Sequence, residues 1–359
     1  MALLRFLFLA LLPWELAFRG AGMNPQSLAA ASELSFLQEL LGKTPKSTFT
    51  GQPLQYMLDL YYRSANQEGL PWENRTLGAT SVRLVPASAS TGISTRGTWF
   101  VQSLEYPMSV VQERQILVRA AVVYPSVLRK SDTQFLCQMK SRIRKNEPHV
   151  REPEFEEASS QLYRPTAWQE TDFTAYIRQR LQKAHGQFSV WLHWKCRQQR
   201  ARSSSRAPWR GTAASEAPFL LLYFNDTHQG YQEVGPPLHR RVRQAGKAPG
   251  SSLELKFCSL RPLLVTSKSL GWTNWVIAPN KFNPNYCQGL CPRILHIGLN
   301  SPNHAIVQNL VNERVNRTVP RPCCVPYQYR PISFLLKEDN GTVLYKEFRD
   351  MVAQSCTCR

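Results

Sequence analysis

Cys287-Gln288-Gly289-Leu290-Cys291, the adjacent pair Cys323-Cys324, and the ending Cys356-Thr357-Cys358-Arg359 decide how the rest of the chain is read. With Cys258 they hold seven of the nine cysteines of a 359-residue chain. So dense a cluster points to a small disulfide-built unit at the C-terminal end. Six cysteines allow many connectivities, so spacing does not choose a pairing. Cys-x3-Cys and Cys-x-Cys also offer thiolates for zinc, a reading that an oxidising compartment disfavours.

The compartment is read from the other end. Residues 1–12 form a short apolar run of secretory length, and Ala17, Gly20, Ala21 and Gly22 beyond it offer small-residue cleavage points. We read residues 1–22 as a signal peptide ending between 17 and 22; the alternative is a buried N-terminal helix. The run is shorter than the roughly 20 residues of a membrane span. Secretion makes the cysteines disulfide candidates and the sequons at Asn74, Asn225, Asn316 and Asn340 glycan acceptors. Forty-four Lys+Arg against 25 Asp+Glu leave a formal +19, which attracts polyanions. Outside the cell that excludes nucleic acid and leaves heparan-sulfate-like surfaces.

Between the two ends, Leu34, Leu37, Leu40 and Leu41 lie at helical spacing, as do the apolar residues of 54–64. Strand-like runs follow at 81–85, 99–104, 116–124, 135–139, 188–196 and 219–224, with a helix expected over 171–183. Cys137 and Cys196 sit in two of those runs, where neighbouring strands would put them in disulfide reach; two buried thiols are the alternative. Residues 201–215 read as a loop. Residues 235–255 are rich in Pro, Gly and Arg and read as an exposed linker.

That linker contains Arg240-Arg241-Val242-Arg243, suited to the acidic pockets of a subtilisin-like proprotein convertase that would cut before Gln244. Arg197 and Arg200 offer a second, minimal site directly after a strand. The expected organisation is a precursor over 23–234 and a C-terminal unit over 256–359. Residues 244–359 carry 14 Lys+Arg against six Asp+Glu, a net +8.

The cysteine pattern resembles that of the transforming growth factor β superfamily. Gly271-Trp272-Thr273-Asn274-Trp275-Val276-Ile277-Ala278-Pro279, Leu299-Asn300-Ser301-Pro302-Asn303-His304-Ala305 and Val319-Pro320-Arg321-Pro322 place the likeness in the bone morphogenetic protein branch, near an oocyte-secreted subgroup. The resemblance covers essentially all of 256–359 and runs more loosely through the precursor, at 54–61, 74–80 and 219–226. It implies an all-β-dominated cystine-knot cytokine with two β fingers and one helix, dimeric, behind an α+β precursor with N-terminal helices and a β-rich arm domain.

The resemblance further implies three bonds, Cys258–Cys324, Cys287–Cys356 and Cys291–Cys358, the first threading a ring closed by the other two. Gly289, without a Cβ, suits that crowded ring. Cys323 is then the odd thiol. The oocyte subgroup usually lacks this cysteine, whereas most of the superfamily joins subunits through it. An intersubunit bond is expected, with a capped or free thiol in a non-covalent dimer as the alternative.

Two further expectations come from local signals. Residues 327–337 and 342–348 should form a hairpin around Asn340-Gly341. Ser301 as N-cap and Pro302 as first residue should start a helix running to about Val315, whose apolar stripe Ile306, Val307, Leu310 and Val311 calls for a second subunit.

In function the resemblance implies a secreted ligand bridging type I and type II transmembrane serine/threonine kinase receptors, with a role in oocyte and follicle (granulosa cell) growth. It would act as a homodimer, or as a heterodimer with a related oocyte growth factor. Carried over residue by residue, a type I wrist comprises Trp272, Trp275, Phe348 and Met351 of one subunit facing Leu295 and Ile297 of the other. A type II knuckle comprises Ala278, Pro279, Ser333, Leu335 and Tyr345. A secreted cystine-knot antagonist and a glycan-binding matrix protein are the rival readings. An enzyme is disfavoured: His296 and His304 lack a nucleophile motif, and no phosphate loop, metal site or cofactor is expected.

Overall fold

The computed structural model describes residues 51–96, 98–108, 115–130, 133–141, 168–183, 188–198, 217–226, 257–338 and 342–359. The expected signal peptide, the helix over 34–41, the linker with Arg240, Arg241, Arg243 and Gln244, and the Asn340-Gly341 turn lie outside the described residues.

Helix α1 (Gln52–Ser64) places Tyr56, Met57, Leu60, Tyr61 and Ser64 on one buried face, the three-to-four-residue spacing of an amphipathic helix. It stops where Ala65 turns extended. The precursor strands follow in order: β1 (Ser81–Pro86), β2 (Ala89–Ser90), β3 (Ser94–Arg96), β4 (Trp99–Pro107), β5 (Gln115–Pro125), β6 (Val127–Lys130), β7 (Thr133–Ser141), β8 (Trp168–Asp172), then α2 (Thr174–Lys183), β9 (Ser189–Gln198) and β10 (Phe219–Asp226). The helix expected from Thr171 starts later because β8 pairs with β5 through Asp172. The Asp172 carboxylate then accepts the Thr174 N–H at 2.6 Å and turns the strand into α2.

The C-terminal unit contributes β11 (Ser259–Arg261), β12 (Val265–Thr266), β13 (Val276–Ala278), β14 (Lys281–Phe282), β15 (Tyr286–Gln288), α3 (Asn303–Arg314), β16 (Cys324–Lys337) and β17 (Val343–Cys358). β16 and β17 form the long hairpin, extended beyond the expected bounds because Cys324 pairs opposite Cys358. Helix α3 begins after Pro302, not at it. Pro302 keeps an extended ψ of 152° and serves as N-cap, its carbonyl accepting the N–H of Ala305 and of Ile306. Ser301 Oγ makes no capping bond.

One antiparallel sheet crosses from precursor to fingers in the order β13-β16-β17-β1-β10-β5-β8; a six-stranded sheet, β2-β4-β9-β7-β6 with β3 beside β4, lies entirely in the precursor. β10 explains how layers stack on it. Leu220, Leu222 and Phe224 face a core shared with Leu104, Tyr106, Leu192 and Trp194 of the second sheet. Phe219, Leu221 and Tyr223 face the opposite way, onto α1 and onto Leu335 and Tyr345 of the finger. A strand covered on both faces reads as an unbroken apolar run, which is why 219–224 lacks alternation. Cys137 and Cys196 are directly opposed across β7 and β9 and are bonded. Among the described residues, no helix is long and apolar enough to cross a membrane.

Candidate functional site

The C-terminal unit is organised by three disulfides, Cys258–Cys324, Cys287–Cys356 and Cys291–Cys358, with Cα separations of 5.4, 5.8 and 5.9 Å. The sulfurs of Cys258, Cys291 and Cys358 lie within 4.8 Å of one another, so the first bond passes beside the third. Those sulfurs are spent on disulfides and offer no thiolate set for zinc. Residues 287–291 and 356–358 with their two bonds form the ring. Gly289 at φ 127° lies against the backbone of Phe257 and Cys258, where a Cβ would come 2.2 Å from the Phe257 carbonyl oxygen. Each bond closes a loop of 66 to 69 residues, and on the chain-closure argument each removes about 4 kcal/mol of unfolded-state entropy. Cys323 is exposed and unbonded, its backbone paired both ways with Arg359.

On one finger face Trp272, Trp275, Phe282, Phe334 and Phe348 form a chain of ring contacts at 5.1 to 6.2 Å. Of the expected wrist residues, Trp275 and Phe348 are buried while Trp272 and Met351 are partly exposed. Leu295 is half-buried and Ile297, in the single turn ahead of α3, is 97% exposed. Helix α3 itself buries only Ala305 and Asn309, and leaves Val307 57% and Leu310 44% exposed. Among the described residues, nothing covers this apolar helix face.

The five expected knuckle residues, Ala278, Pro279, Ser333, Leu335 and Tyr345, come together on the opposite finger face, and all five are buried. The precursor covers them. Strand β1 pairs with β17 in the register Ser81–Lys346, Val82–Tyr345 and Arg83–Leu344. Helix α1 lays Tyr61 against the Tyr345 ring and donates its hydroxyl to the Ser333 carbonyl at 3.4 Å. The loop after α1 brings the Gly69 carbonyl to the Ser333 N–H at 2.7 Å. Ser333 Oγ and the Tyr345 hydroxyl close the face with a 2.9 Å bond.

Sequence reasoning did not single out the charges that lock this cover. Precursor Arg75 pairs with Glu347 at 2.8 Å, and precursor Arg83 with Glu338 at 3.0 Å, both carboxylates being on the finger. The available signal was a lone Arg83 within the apolar run 81–85 and a lone Glu347 within 343–348. Breaking a buried pair by removing one partner leaves an uncompensated charge.

Burial raises the Glu347 carboxyl above its usual range, opposed by Arg75, the Tyr345 hydroxyl and Arg349. Burial likewise pushes the hydroxyls of Tyr61 and Tyr345 up. For Glu347 the sign of the linkage favours the covered state in acid. Its contribution is full below the ordinary carboxylate pKa and is lost as pH rises through the raised one. If the chain is cut in its linker and the two parts stay associated, they should be held more tightly at pH 5 than at pH 7, with Glu347→Gln removing the difference. Gel filtration at the two pH values checks this; looser association at pH 5 that Glu347→Gln abolishes would contradict it.

Among the sequons, Asn74 and Asn316 are exposed. Asn225 lies in β10 and accepts the Thr80 N–H at 3.0 Å. Asn340 lies outside the described residues.

Residues 257–358 match the family described as transforming growth factor beta like domain. Over most of its length the chain is similar to bone morphogenetic protein 15 of Bos taurus, with 43% identity covering 92% of this chain and 91% of that one. Its likeness to bone morphogenetic protein 15 of Homo sapiens is 40%, covering 100% and 99%. Growth/differentiation factor 9 of Homo sapiens is 26% identical, over 89% of this chain and 84% of that protein.

Proposed function

This chain belongs to the transforming growth factor β family of secreted growth factors, and on that premise we propose that its mature dimer brings type I and type II serine/threonine kinase receptors together. The observation that carries the reading is the covered knuckle. An apolar finger face built from Ala278, Pro279, Ser333, Leu335 and Tyr345 is closed by precursor elements α1 and β1, which a cut after Arg243 detaches covalently from it. A face kept covered while the precursor elements stay bound is one whose exposure has a consequence. The ligand performs no reaction: members of the family are signalling proteins, not enzymes. Binding energy comes from rigid aromatic and aliphatic patches.

The second subunit supplies what the single chain leaves open. Ile297, Val307 and Leu310 are exposed on and before α3; packing of α3 against the wrist of a partner completes the type I surface, with Trp272, Met351, Leu295 and Ile297 at its face and Trp275 and Phe348 buried behind them. Cys323, exposed and unbonded, links the two copies, or this chain to a related oocyte growth factor. The likeness to bone morphogenetic protein 15 supports a role in follicle growth, and the net +8 of residues 244–359 supports retention on heparan sulfate.

Secretion from mammalian cells tests the reading. The expected product is residues 244–359, dimeric on a non-reducing gel and monomeric after reduction. Freed of precursor, it should capture both receptor ectodomains, while an uncleaved Arg243→Ala chain should capture the type II ectodomain at least about tenfold more weakly, the loss expected when an apolar hot spot is covered. Equal capture by the two forms would defeat the role given to the cover.

A further inference from the structure

Segment 293–321 of the mature unit carries four arginines, no lysine and one acidic residue, Glu313. The structure gathers these charges at the C-terminal end of α3. Arg293 Nε and Arg321 Nη2 lie 3.0 and 3.1 Å from the same oxygen of Glu313, so two guanidiniums are neighbours with one carboxylate between them. Arg314 occupies the last turn of α3 and Arg317 the loop just beyond, both exposed. The negative end of the helix dipole favours cations at this place.

The cluster is built rather than incidental. Buried Asn309 donates to the carbonyls of Pro292 and Arg293 at 3.2 and 2.7 Å, pinning the segment before α3 to the helix. Asn312 donates to the Val319 carbonyl at 2.6 Å and accepts Arg321 Nε at 3.0 Å. Gln308 holds the Pro320 carbonyl at 2.8 Å. Three amide side chains on one helix thus fold the segments before and after it back along its side. Guanidiniums held in place lose less freedom when an anion arrives.

We infer that this end of α3 is a docking site for a sulfated glycosaminoglycan. Arginine forks match the planar oxygen pairs of sulfate groups, and a repeating polyanion satisfies several guanidiniums at once where a single ion satisfies one. The site rests on the glycan reading above and adds its location. It is separate from the knuckle, whose face the precursor covers, so glycan binding does not require precursor release.

The test uses the mature dimer carrying Asn316→Gln, which keeps an N-glycan out of the comparison, and immobilised heparin as the probe. Arg293→Ala with Arg317→Ala should lower heparin affinity about tenfold at physiological salt and flatten its salt dependence by about two released counterions. Lys268→Ala with Lys281→Ala removes the same charge from exposed finger positions and should change affinity less than about twofold, since diffuse surface charge contributes little at that salt. Equal losses from the two pairs would overturn the site while leaving general glycan affinity standing. A wild-type dimer that ignores heparin would overturn the glycan reading itself. Phosphatidylserine vesicles form the other arm: binding to them as tight as to heparin, and equally weakened by the arginine pair, would reassign the cluster to anionic lipid. Receptor capture in heparin-free buffer should be unchanged in both variants, which shows that they fold.

Discussion

Gly289→Ala is expected to abolish secretion of a correctly bonded mature dimer. At φ 127° an L side chain is strained, and the added Cβ would meet backbone: 2.2 Å to the Phe257 carbonyl oxygen, 2.4 Å to its carbon and 2.7 Å to the Cys258 nitrogen. No rotamer change relieves such a contact. The Phe257–Cys258 segment is also fixed, by the Cys258 N–H bonded to the Leu290 carbonyl and by the Cys258–Cys324 disulfide. Moving Phe257 aside therefore displaces Cys258 from its partner. Losing one native disulfide in a unit this small costs about 2–5 kcal/mol, comparable with the whole stability of such a fold. Disulfide mapping of the secreted product reads the outcome, and Gly271→Ala is the control. Gly271 also has a positive φ, 73°, but nothing lies within 4 Å of its added Cβ, so it should cost about 1 kcal/mol of backbone strain and still be secreted. Wild-type yield of Gly289→Ala with all three native bonds would sink the argument.

What the sequence made legible is what short-range physics controls. The apolar spacing of α1, the run Phe219–Phe224 and the turn chemistry around α3 are local, and each produced an element at close to its expected place. Where two local signals compete, boundaries move: Pro302 suited a first helical position yet remains extended, and Thr171, expected in the helix, belongs to β8 because its neighbours find partners in β5. The pairing of Cys137 with Cys196 needs the register of β7 against β9, and nothing in either segment alone states a register. The joint sheet is the extreme case. β1 meets β17 across more than half the chain, so neither strand carries a local mark of the other. In the finger, Ile332–Leu336 is buried at five consecutive positions, a strand covered on both faces, but Ser333 interrupts the apolar run that would have signalled it. The resemblance assigns Ser333 and Leu335 to a type II receptor face; in the full chain that face is occupied by α1 and β1.

Gly69→Ala is expected to loosen the precursor from the mature unit by about tenfold to a hundredfold without touching the mature sequence. Gly69 adopts φ 82°, and its added Cβ would lie 2.8 Å from the Ser333 carbonyl oxygen, 2.8 Å from Ile332 Cγ1 and 3.1 Å from Pro279 Cγ. The side-chain atoms can give way, but the Ser333 carbonyl belongs to the middle of β16 and cannot. The loop must therefore lift, breaking the bond from the Ser333 N–H to the Gly69 carbonyl. A donor left buried costs about 1–3 kcal/mol, which is the stated loss of affinity. The loop has no easy retreat, because Asn66 Oδ1 already ties the N–H groups of Glu68 and Leu70 at 2.9 Å. Gly78→Ala separates this effect from strain alone: its φ is 62° and nothing lies within 4 Å, so precursor retention should stay near wild type. Co-purification of cleaved precursor with the mature dimer, followed by dilution, measures the dissociation. Receptor capture by the isolated dimer should be identical for all three chains, since residues 244–359 are unchanged. If Gly69→Ala reduced secretion, the same ranking should appear on reassociation of separately purified precursor and dimer, with Arg75→Ala as a second weakened form because it strands the Glu347 charge. Tight retention in both Gly69→Ala and Arg75→Ala would show that the contact at Ser333 does not hold the knuckle closed.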